Sequence, residues 1–351
     1  MNAPNYQASE QATYQDRTAG RYADPTIDQA AWLDAITAAS SAPSVHNTQP
    51  WRFMVRPDAV GLHLDEQRVL PVADPTGRQA RISCGAALLN LCLTLRANGV
   101  EPAVALLPQR AHPTLLAIVR PAGRRPATPT EIQLNRAIPR RHSHRHPFHA
   151  APVPQAALRS IVYAAGLEGG YLRLVIDTAT LGTIAALVRR AENHQRQDEA
   201  YQAELAAWTF STGARLDGVP QAASGPRPEP GDLVTLRDFA PDTDRPTRHF
   251  ESDPLLGVLM SAGDTPLDQL RCGQALQRAL LTATDLGIAA TIMSAPTELR
   301  SARAALRREV GGAMWPQLVL RFGSGLSTMA TPRRPVSDIA ELGTGDHQAG
   351  L

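Results

Sequence analysis

The chain contains an internal repeat, and this feature limits the folds open to it more than any other. The segment CGAALLNLCLTLRANGV begins at Cys84, and CGQALQRALLTATDLGI begins at Cys272. Both place apolar residues at helical spacing, and both helices are expected to end at a glycine, Gly99 or Gly287. Each is followed by an apolar run typical of a buried strand, HPTLLAIVR in the first copy and WPQLVLRFG in the second.

A second similarity lies upstream of the first and occurs in the same order. TIDQAAWLDAITAAS is similar to PVPQAALRSIVYAAG, and each predicts an amphipathic helix followed by a strand, WRFMV or YLRLV. The order helix, strand, helix, strand therefore occurs twice. This predicts an α+β protein made of two repeats, residues 25–127 and 128–340. The polar segments 1–24 and 341–351 are predicted to be a loose arm and a tail.

Charge and composition argue against several classes of function. The formal net charge is only +2, so no strong overall field favours nucleic acid or an anionic membrane. No apolar run approaches the ~20 residues that cross a bilayer. Cys84, Cys92 and Cys272 lack the spacing of a disulfide framework or a zinc site, and we expect them to be buried free thiols. A cytoplasmic protein without nucleic-acid or membrane partners is expected.

The first candidate binding motif is the loop APSVHNTQPWRF, between a predicted helix and a predicted strand. Pro43 ends the helix, because the residue before a proline is pushed out of the helical region. The polar side chains that follow in this loop are Ser44, Asn47 and Gln49. They could hydrogen-bond a planar heterocycle that Trp51 covers. From the composition alone, a capped turn over a core tryptophan stays open as the alternative.

The second candidate motif is RRHSHRHPF, which begins at Arg140. In an extended segment Arg141, Ser143 and Arg145 share one face. Two guanidinium groups around a hydroxyl would bind a phosphate and an anionic ring edge. The residues alone leave open a histidine metal site, contacts to RNA phosphates or a solvated basic stretch. No cysteine or carboxylate cluster accompanies the histidines, so no metal is predicted.

Two further segments add to these motifs. TPRRPV, after the last apolar strand, offers Arg333 and Arg334 as another anion-binding pair, although adjacent arginines alone are a weak signal. In the second repeat, a charged amphipathic helix over about 187–208 leads into a Pro-, Gly- and Asp-rich segment, residues 213–254. A long irregular segment within a compact domain is either a functional loop or disordered.

Together these motifs resemble the nitroreductase superfamily, whose members are α+β flavoproteins that usually work as intertwined homodimers. Residues 141–145 resemble the family's Arg-x-Ser-x-Arg/Lys motif. Residues 43–51 match its Pro-Ser-x-x-Asn-x-Gln-Pro-Trp motif at every fixed position. Residues 286–295 resemble the family's Leu-Gly turn and the loop that follows it. Arg333-Arg334 resembles the family's closing basic pair. The resemblance covers most of residues 26–340.

Each half of the family's flavin site occurs only once in this chain. In the family, every chain carries both motifs, and an FMN site takes one motif from each subunit. Here the first repeat has YADPT in place of the arginine motif, and the second has AAGLEGGYLRL in place of the loop. The resemblance therefore implies a monomeric single-chain pseudo-dimer with one FMN site and one lost site. This arrangement is similar to the Acg-type branch, in which a lid can cover the flavin.

The resemblance also implies roles for the basic residues. Arg141, Arg333 and Arg334 would hold the FMN phosphate. Arg145 would lie near N1 and O2 of the ring, where a positive charge stabilises the reduced anion.

Polar groups from both repeats would complete the site. Ser44 and Asn47 would reach the flavin from the first repeat, and backbone amides near Ser294 and Ala295 would face N5. Ser294-Ala295 departs from the Glu-Gly that the family often has there. The other expected cofactor-binding residues are Pro43, Gln49 and Ser143.

The implied activity is that of an FMN-dependent oxidoreductase. It would take hydride from NADH or NADPH and reduce a small nitroaromatic or quinone-like acceptor. The flavin carries this chemistry, so no catalytic side chain is expected. The alternative is a non-catalytic protein that stores FMN under a lid formed by residues 213–254. Apolar residues expected to press onto the ring are Leu233, Val234, Leu236 and Phe239.

Overall fold

The structure is a computed structural model that describes residues 27–211, 213, 215–240, 244–325 and 329–343. The expected arm at 1–24 and most of the expected tail lie outside these ranges.

Helices and strands alternate in both halves of the chain. The helices are α1 (Gln29–Ser40), α2 (Arg78–Ala97), α3 (Pro129–Ala137), α4 (Gln155–Leu167), α5 (Thr178–Gln197), α6 (Glu199–Ala207), α7 (Pro266–Asp285), α8 (Ala295–Glu298), α9 (Arg300–Glu309) and α10 (Val336–Ile339). The strands are β1 (Trp51–Arg56), β2 (Ala59–Leu64), β3 (Val100–Leu106), β4 (Leu115–Arg124), β5 (Tyr171–Val175), β6 (Thr209–Phe210), β7 (Val219–Pro220), β8 (Arg227–Pro228), β9 (Thr247–Arg248), β10 (Leu255–Ser261), β11 (Ala289–Met293), β12 (Trp315–Gly323) and β13 (Ala340–Leu342).

The two main sheets have the same topology, which confirms the predicted repeat. The first has the order β13-β1-β2-β4-β3, and the second reads β5-β10-β12-β11 when followed in the matching direction. The neighbouring strands β1 to β4 pair antiparallel, and so do their counterparts β5 and β10 to β12. The similar helices α1 and α4 precede the similar strands β1 and β5, as the sequence predicts.

The equivalent helices α2 and α7 pack against each other at the centre of the molecule. A Cβ atom at Gly85 would lie 2.1 Å from the carbonyl oxygen of Leu270, and one at Gly273 would lie 2.0 Å from that of Ile82. The contact is therefore reciprocal, as in an isologous dimer interface. Only glycine permits the two backbones to approach so closely.

The apolar core lies on both sides of this helix pair. One cluster packs Trp32, Trp51 and Phe53 of the first repeat and also contains Leu270 of the second. A second cluster is formed mainly by α7 and the second sheet and contains Ile82 of the first repeat. Each core thus takes a residue from the other repeat. The three cysteines are free and buried, as expected.

The end of the second repeat crosses over to the first sheet. Strand β13 pairs in parallel with β1, with Phe53 opposite Ala340 and Val55 opposite Leu342. Residues 341 and 342, which the sequence assigned to the tail, therefore belong to a strand.

The predicted helix over 187–208 is wrong in its bounds. It begins earlier, at Thr178, and is divided into α5 and α6 at Asp198. The Asp198 carboxylate accepts hydrogen bonds from the amides of Ala200 and Tyr201, so this residue starts a new helix. In the segment that follows, the described residues form two-residue strands, β6 to β9, and one 3-10 turn. No helix among the described residues is long and apolar enough to span a bilayer.

Candidate functional site

A cavity lies where the two repeats meet, and most of the predicted binding residues line it. It encloses about 1170 Å³ of empty space, part of which is open to solvent. The central helices contribute Ser83 of α2 and Leu276 of α7. The lining includes Pro43, Ser44, Asn47, Arg141, Ser143, Arg145, Ser294 and Arg333 from the predicted set.

Three predicted residues do not line this cavity. Gln49 is buried in the loop, where its side-chain amide donates to the Leu216 carbonyl at 2.9 Å. Ala295 is fully buried at the first turn of α8. The Arg334 guanidinium donates to the carbonyl of Asp338 at 2.5 Å, within α10.

The loop that contributes Ser44 and Asn47 has an unusual backbone. His46, Asn47 and Gln49 have φ values of 47°, 56° and 52°. Such left-handed conformations are costly for residues other than glycine and are concentrated at functional sites. The Ser44 hydroxyl accepts a hydrogen bond from the Gln49 amide at 3.0 Å, which holds the loop closed.

Asn47 joins three parts of the site. Its side-chain amide donates to the carbonyls of Gly218 at 2.9 Å and Pro332 at 3.0 Å. Its side-chain oxygen accepts from Arg333 at 2.9 Å. The residue therefore ties the loop to the 213–254 segment and to the C-terminal basic segment.

Three guanidinium groups in the cavity wall are buried without a compensating carboxylate. Arg141, Arg145 and Arg333 form no ion pair with an acidic residue in the described part of the chain. Burial, together with the neighbouring arginines, lowers the pKa of Arg141 to about 9. Burial lowers the pKa of Arg145 to about 10 and that of Arg333 to about 10. The Nε atoms of Arg141 and Arg333 have no hydrogen-bond partner among the described residues.

In the second motif, the arginines and the histidines were expected to point to opposite faces, and this expectation is only partly correct. His144 faces away from the cavity and stacks on Phe148, with ring centroids 4.8 Å apart and planes 13° apart. His142, however, lines the cavity beside Arg141. The segment forms a single bridge, between Ser143 and Ala290, and not a regular strand, so strict two-residue alternation does not apply.

The histidines of this motif do not form a metal-binding group. Among the described residues, one grouping has metal-ligand spacing, and it consists of Glu229, Asp232 and His249. Those residues lie in the 213–254 segment, and the His249 ring nitrogen is already 2.8 Å from the Asp232 carboxylate.

A buried charge network on the other side of the cavity was missed by the sequence analysis. Arg237 forms an ion pair with Glu298 at 2.8 Å, and its guanidinium lies 3.0 Å from Nε2 of His46. Burial opposes the charged form of Glu298, yet Arg237 lowers its pKa to about 2. Burial, with Arg237 nearby, lowers the pKa of His46 to about 3, which keeps the ring neutral. Arg237 and Glu298 belong to no sequence motif, and His46 occupies a variable position of the motif at residues 43–51.

Part of the 213–254 segment forms a wall of the cavity. Thr235, Leu236, Arg237 and Phe239 line it, and Arg145 lies over the Phe239 ring at 5.1 Å. Leu236 and Phe239, two of the four residues expected to press onto the ring, are therefore among the residues that line the cavity. Leu233 and Val234 are not among the lining residues.

Comparison with known proteins supplies the family. No protein-family model matches the chain. Over 316 residues it is 34% identical to "Putative NAD(P)H nitroreductase Rv3131" of Mycobacterium tuberculosis, which covers 87% of this chain and 90% of that protein. The chain belongs to the nitroreductase family. The resemblance predicted from residues 43–51 and 141–145 is thereby confirmed.

Other relatives of this nitroreductase-family protein agree with that assignment. "Putative NAD(P)H nitroreductase acg" of Mycobacterium tuberculosis is 30% identical over 325 residues, 90% of this chain and 96% of that protein. A solved nitroreductase with bound FMN from Desulfitobacterium hafniense covers 59% of this chain and 95% of its own, with a TM-score of 0.38 and 16% identity.

Proposed function

We propose that this protein is an FMN-dependent oxidoreductase that uses a reduced nicotinamide to reduce a small nitroaromatic or quinone-like acceptor. The observation that carries this proposal is the uncompensated positive charge of Arg141, Arg145 and Arg333 in one cavity wall. Membership of a family whose relatives are named NAD(P)H nitroreductases supports the nicotinamide as reductant.

The donor set fits FMN. Burying one charge without a partner costs on the order of several kcal/mol, because the ion loses its hydration. Three such arginines in one wall therefore imply an anionic ligand that compensates their charge. The unpartnered Nε atoms of Arg141 and Arg333 could donate to phosphate oxygens. Arg334, whose guanidinium is engaged at Asp338, is left out of this proposal.

The remaining residues would hold and orient the cofactor. Arg145 would supply positive charge to the ring edge, and Ser44 and Ser143 would offer hydroxyl groups to it. Asn47 would act by fixing Arg333, because its own amide is fully bonded within the protein. When bound, FMN would accept a hydride and pass electrons to the second substrate.

Ligand binding and reduction test this proposal separately. The purified protein should release a yellow compound that mass spectrometry identifies as FMN. The deflavinated protein should bind FMN more tightly than riboflavin, which lacks the phosphate, by about 10-fold or more. Anaerobic addition of NADH or NADPH should bleach the visible flavin band. A colourless protein that takes up neither flavin would contradict the proposal.

A second candidate, storage of FMN without turnover, is favoured by one observation. The cavity wall at Thr235–Phe239 is anchored by the ion pair between Arg237 and Glu298, whose side chains are 10% and 1% exposed. A closed wall would shield the cofactor from reductant. Storage predicts tight FMN binding with no bleaching by either nicotinamide, whereas the enzyme bleaches and is reoxidised by added quinone.

A further inference from the structure

Glu192 lies between two cavities and lines both of them. Glu192 lies on α5, is 8% exposed and lines the cavity described above. It also lines a second cavity, formed by α5, α6 and residues between 224 and 245. Thr235, Leu236 and Arg237 are likewise shared by both linings, so they form a common wall with Glu192. The Glu192 carboxyl makes no hydrogen bond to another described residue.

The charges around Glu192 differ from those of an ordinary buried ion pair. One guanidinium, that of Arg237, serves two buried carboxylates, with Glu298 at 2.8 Å and Glu192 at 3.9 Å. A single buried cation can compensate only one of them. Other titratable or charged groups surround this cluster, namely His46, Tyr201, Arg145, Arg196 and Asp238, with Arg189 and Arg245 in the lining of the second cavity.

The two carboxyl groups therefore differ in their affinity for protons. Arg237 lowers the pKa of Glu298 to about 2, whereas burial raises that of Glu192 to about 7. In many active sites, the surroundings give two nearby carboxyl groups very different pKa values, so that one acts as an acid and the other stays ionised. An acid that titrates near neutral pH is well suited to proton transfer.

We propose that Glu192 donates the proton that reduction of the acceptor requires. This inference rests on the proposed function. Reduction of a quinone by NAD(P)H moves two electrons and one hydrogen as hydride, so formation of the hydroquinone requires one further proton. The O–H bond of the Glu192 carboxyl breaks as a new O–H bond forms on the acceptor oxygen. The carboxylate then takes a proton from water in the second cavity, and the overall reaction consumes NAD(P)H, the quinone and one H⁺.

The position of Glu192 suits this role in two respects. Arg237, 3.9 Å from Glu192, also donates to the Ser294 hydroxyl at 3.3 Å, so the carboxyl lies on the Ser294 side of the cofactor cavity. The second cavity gives the same carboxyl a separate path to solvent. A proton can therefore be replaced while the acceptor occupies the first cavity.

Glu192→Gln tests the proposal, with Glu199→Gln as a matched control. Glu199 is exposed at the start of α6 and lines neither cavity. Flavin reduction by NAD(P)H and reoxidation by benzoquinone are followed separately by stopped flow between pH 5.5 and 9. In the wild type and in the control, the reoxidation rate should fall as pH rises through about 7. In Glu192→Gln it should be about 100-fold lower and lose this pH dependence, while flavin reduction stays unchanged.

A second measurement does not depend on turnover. Infrared difference spectra of the flavin-free protein should show a protonated carboxyl that titrates near neutral pH in the wild type and is missing in Glu192→Gln. Unchanged reoxidation rates and pH profile in Glu192→Gln, with normal flavin reduction, would overturn the Glu192 proposal alone. A wild-type flavin that NAD(P)H fails to reduce would instead contradict the proposed function.

Discussion

Gly85 and Gly273 lie back to back where α2 crosses α7, and each occupies the equivalent position in its own repeat. A Cβ atom at Gly273 would lie 2.9 Å from the Cα of Gly85. Beside this contact, the equivalent residues Arg81 and Gln269 also meet, with a hydrogen bond of 2.6 Å. Equivalent residues touch one another only near a two-fold axis. The chain therefore keeps the geometry of a symmetric dimer at its centre while its binding motifs have become asymmetric.

Alanine at this contact should destabilise the protein. Gly273→Ala would force a Cβ against the Ile82 carbonyl, 2.0 Å away, and should lower the free energy of unfolding by about 1–3 kcal/mol or more. Gly182→Ala is the control, because it lies in α5 and its Cβ would meet nothing within 4 Å. That variant should gain about 0.5–1 kcal/mol. Urea unfolding measures both, and equal effects would contradict the close approach.

Removal of the Arg141 guanidinium should weaken cofactor binding without harming the fold. Arg141→Ala should reduce FMN affinity about 10- to 100-fold, as expected for a lost charge-assisted hydrogen bond. The flavin-free variant should melt no lower than the wild type, since an uncompensated buried charge has been removed. Arg140→Ala is the control, because Arg140 is exposed and pairs with Asp285 at 3.5 Å. Fluorescence titration and thermal melts check both statements, and equal FMN affinities in the two variants would refute the phosphate assignment.

The ion pair between Arg237 and Glu298 should control access to the cavity. Arg237→Ala leaves Glu298 buried and unpaired, which should cost about 3–5 kcal/mol of stability and speed FMN release. Adding Glu298→Ala should recover part of the stability, since the buried carboxylate at 2.8 Å from Arg237 is then removed as well and only Glu192, which can take up a proton, has lost its cation. FMN release should stay fast in the double variant. A double-mutant cycle on stability and release rates measures this. Release at the wild-type rate in both variants would show that the segment does not gate the site.

His46 should make the protein less stable in acid. Its pKa is lowered to about 3 in the folded state, so between pH 6.5 and 3 the unfolded chain binds the extra proton. Stability is therefore complete above pH 6.5 and falls by up to about 1.4 kcal/mol per pH unit below it. His46→Asn removes this titration and tolerates the left-handed backbone. Its unfolding free energy should depend less on pH than that of His112→Asn, an exposed control. Identical pH profiles would show that His46 titrates normally.

One FMN per chain and a monomer in solution are expected. Each half-motif occurs once, and the contact between α2 and α7 already buries the surface that a symmetric dimer would use. Flavin absorbance divided by protein concentration should approach one at saturation. Sedimentation should give the mass of a single 37.7 kDa chain. Two flavins per chain, or a dimer at nanomolar concentration, would contradict this interpretation.

Several candidate residues that the sequence motifs identify lie together in the structure. Asn47 and Arg141 are nearly a hundred residues apart, yet both line one cavity. Each can be identified from the sequence because it lies in a short motif of neighbouring residues. The sequence could not show which of the adjacent arginines, Arg333 or Arg334, faces the cavity. Arg333 turns to Asn47 at 2.9 Å and Arg334 turns to Asp338, and only the packing of α10 separates them.

The residues missed by the sequence depend on tertiary contacts. Arg237 lies in an irregular segment without periodicity, and its partners Glu298 and Glu192 come from two different helices. Nothing in the local pattern indicates that these three side chains are buried together. His46 occupies a variable position of its motif, and its left-handed backbone cannot be read from composition.

The pairing of β13 with β1 also protects the molecule from its own copies. Without those three residues, β1 would end the first sheet and present unpaired backbone groups to solvent, a template for strand addition and aggregation. Its counterpart β5 does end the second sheet in the described structure, and there the exposed Arg173, whose guanidinium also donates to the Val310 carbonyl at 3.0 Å, places a charge on the edge strand that discourages such pairing. The two repeats thus limit pairing of equivalent sheet edges with other chains in different ways. The first repeat covers its edge with a strand, and the second places a charge on its edge.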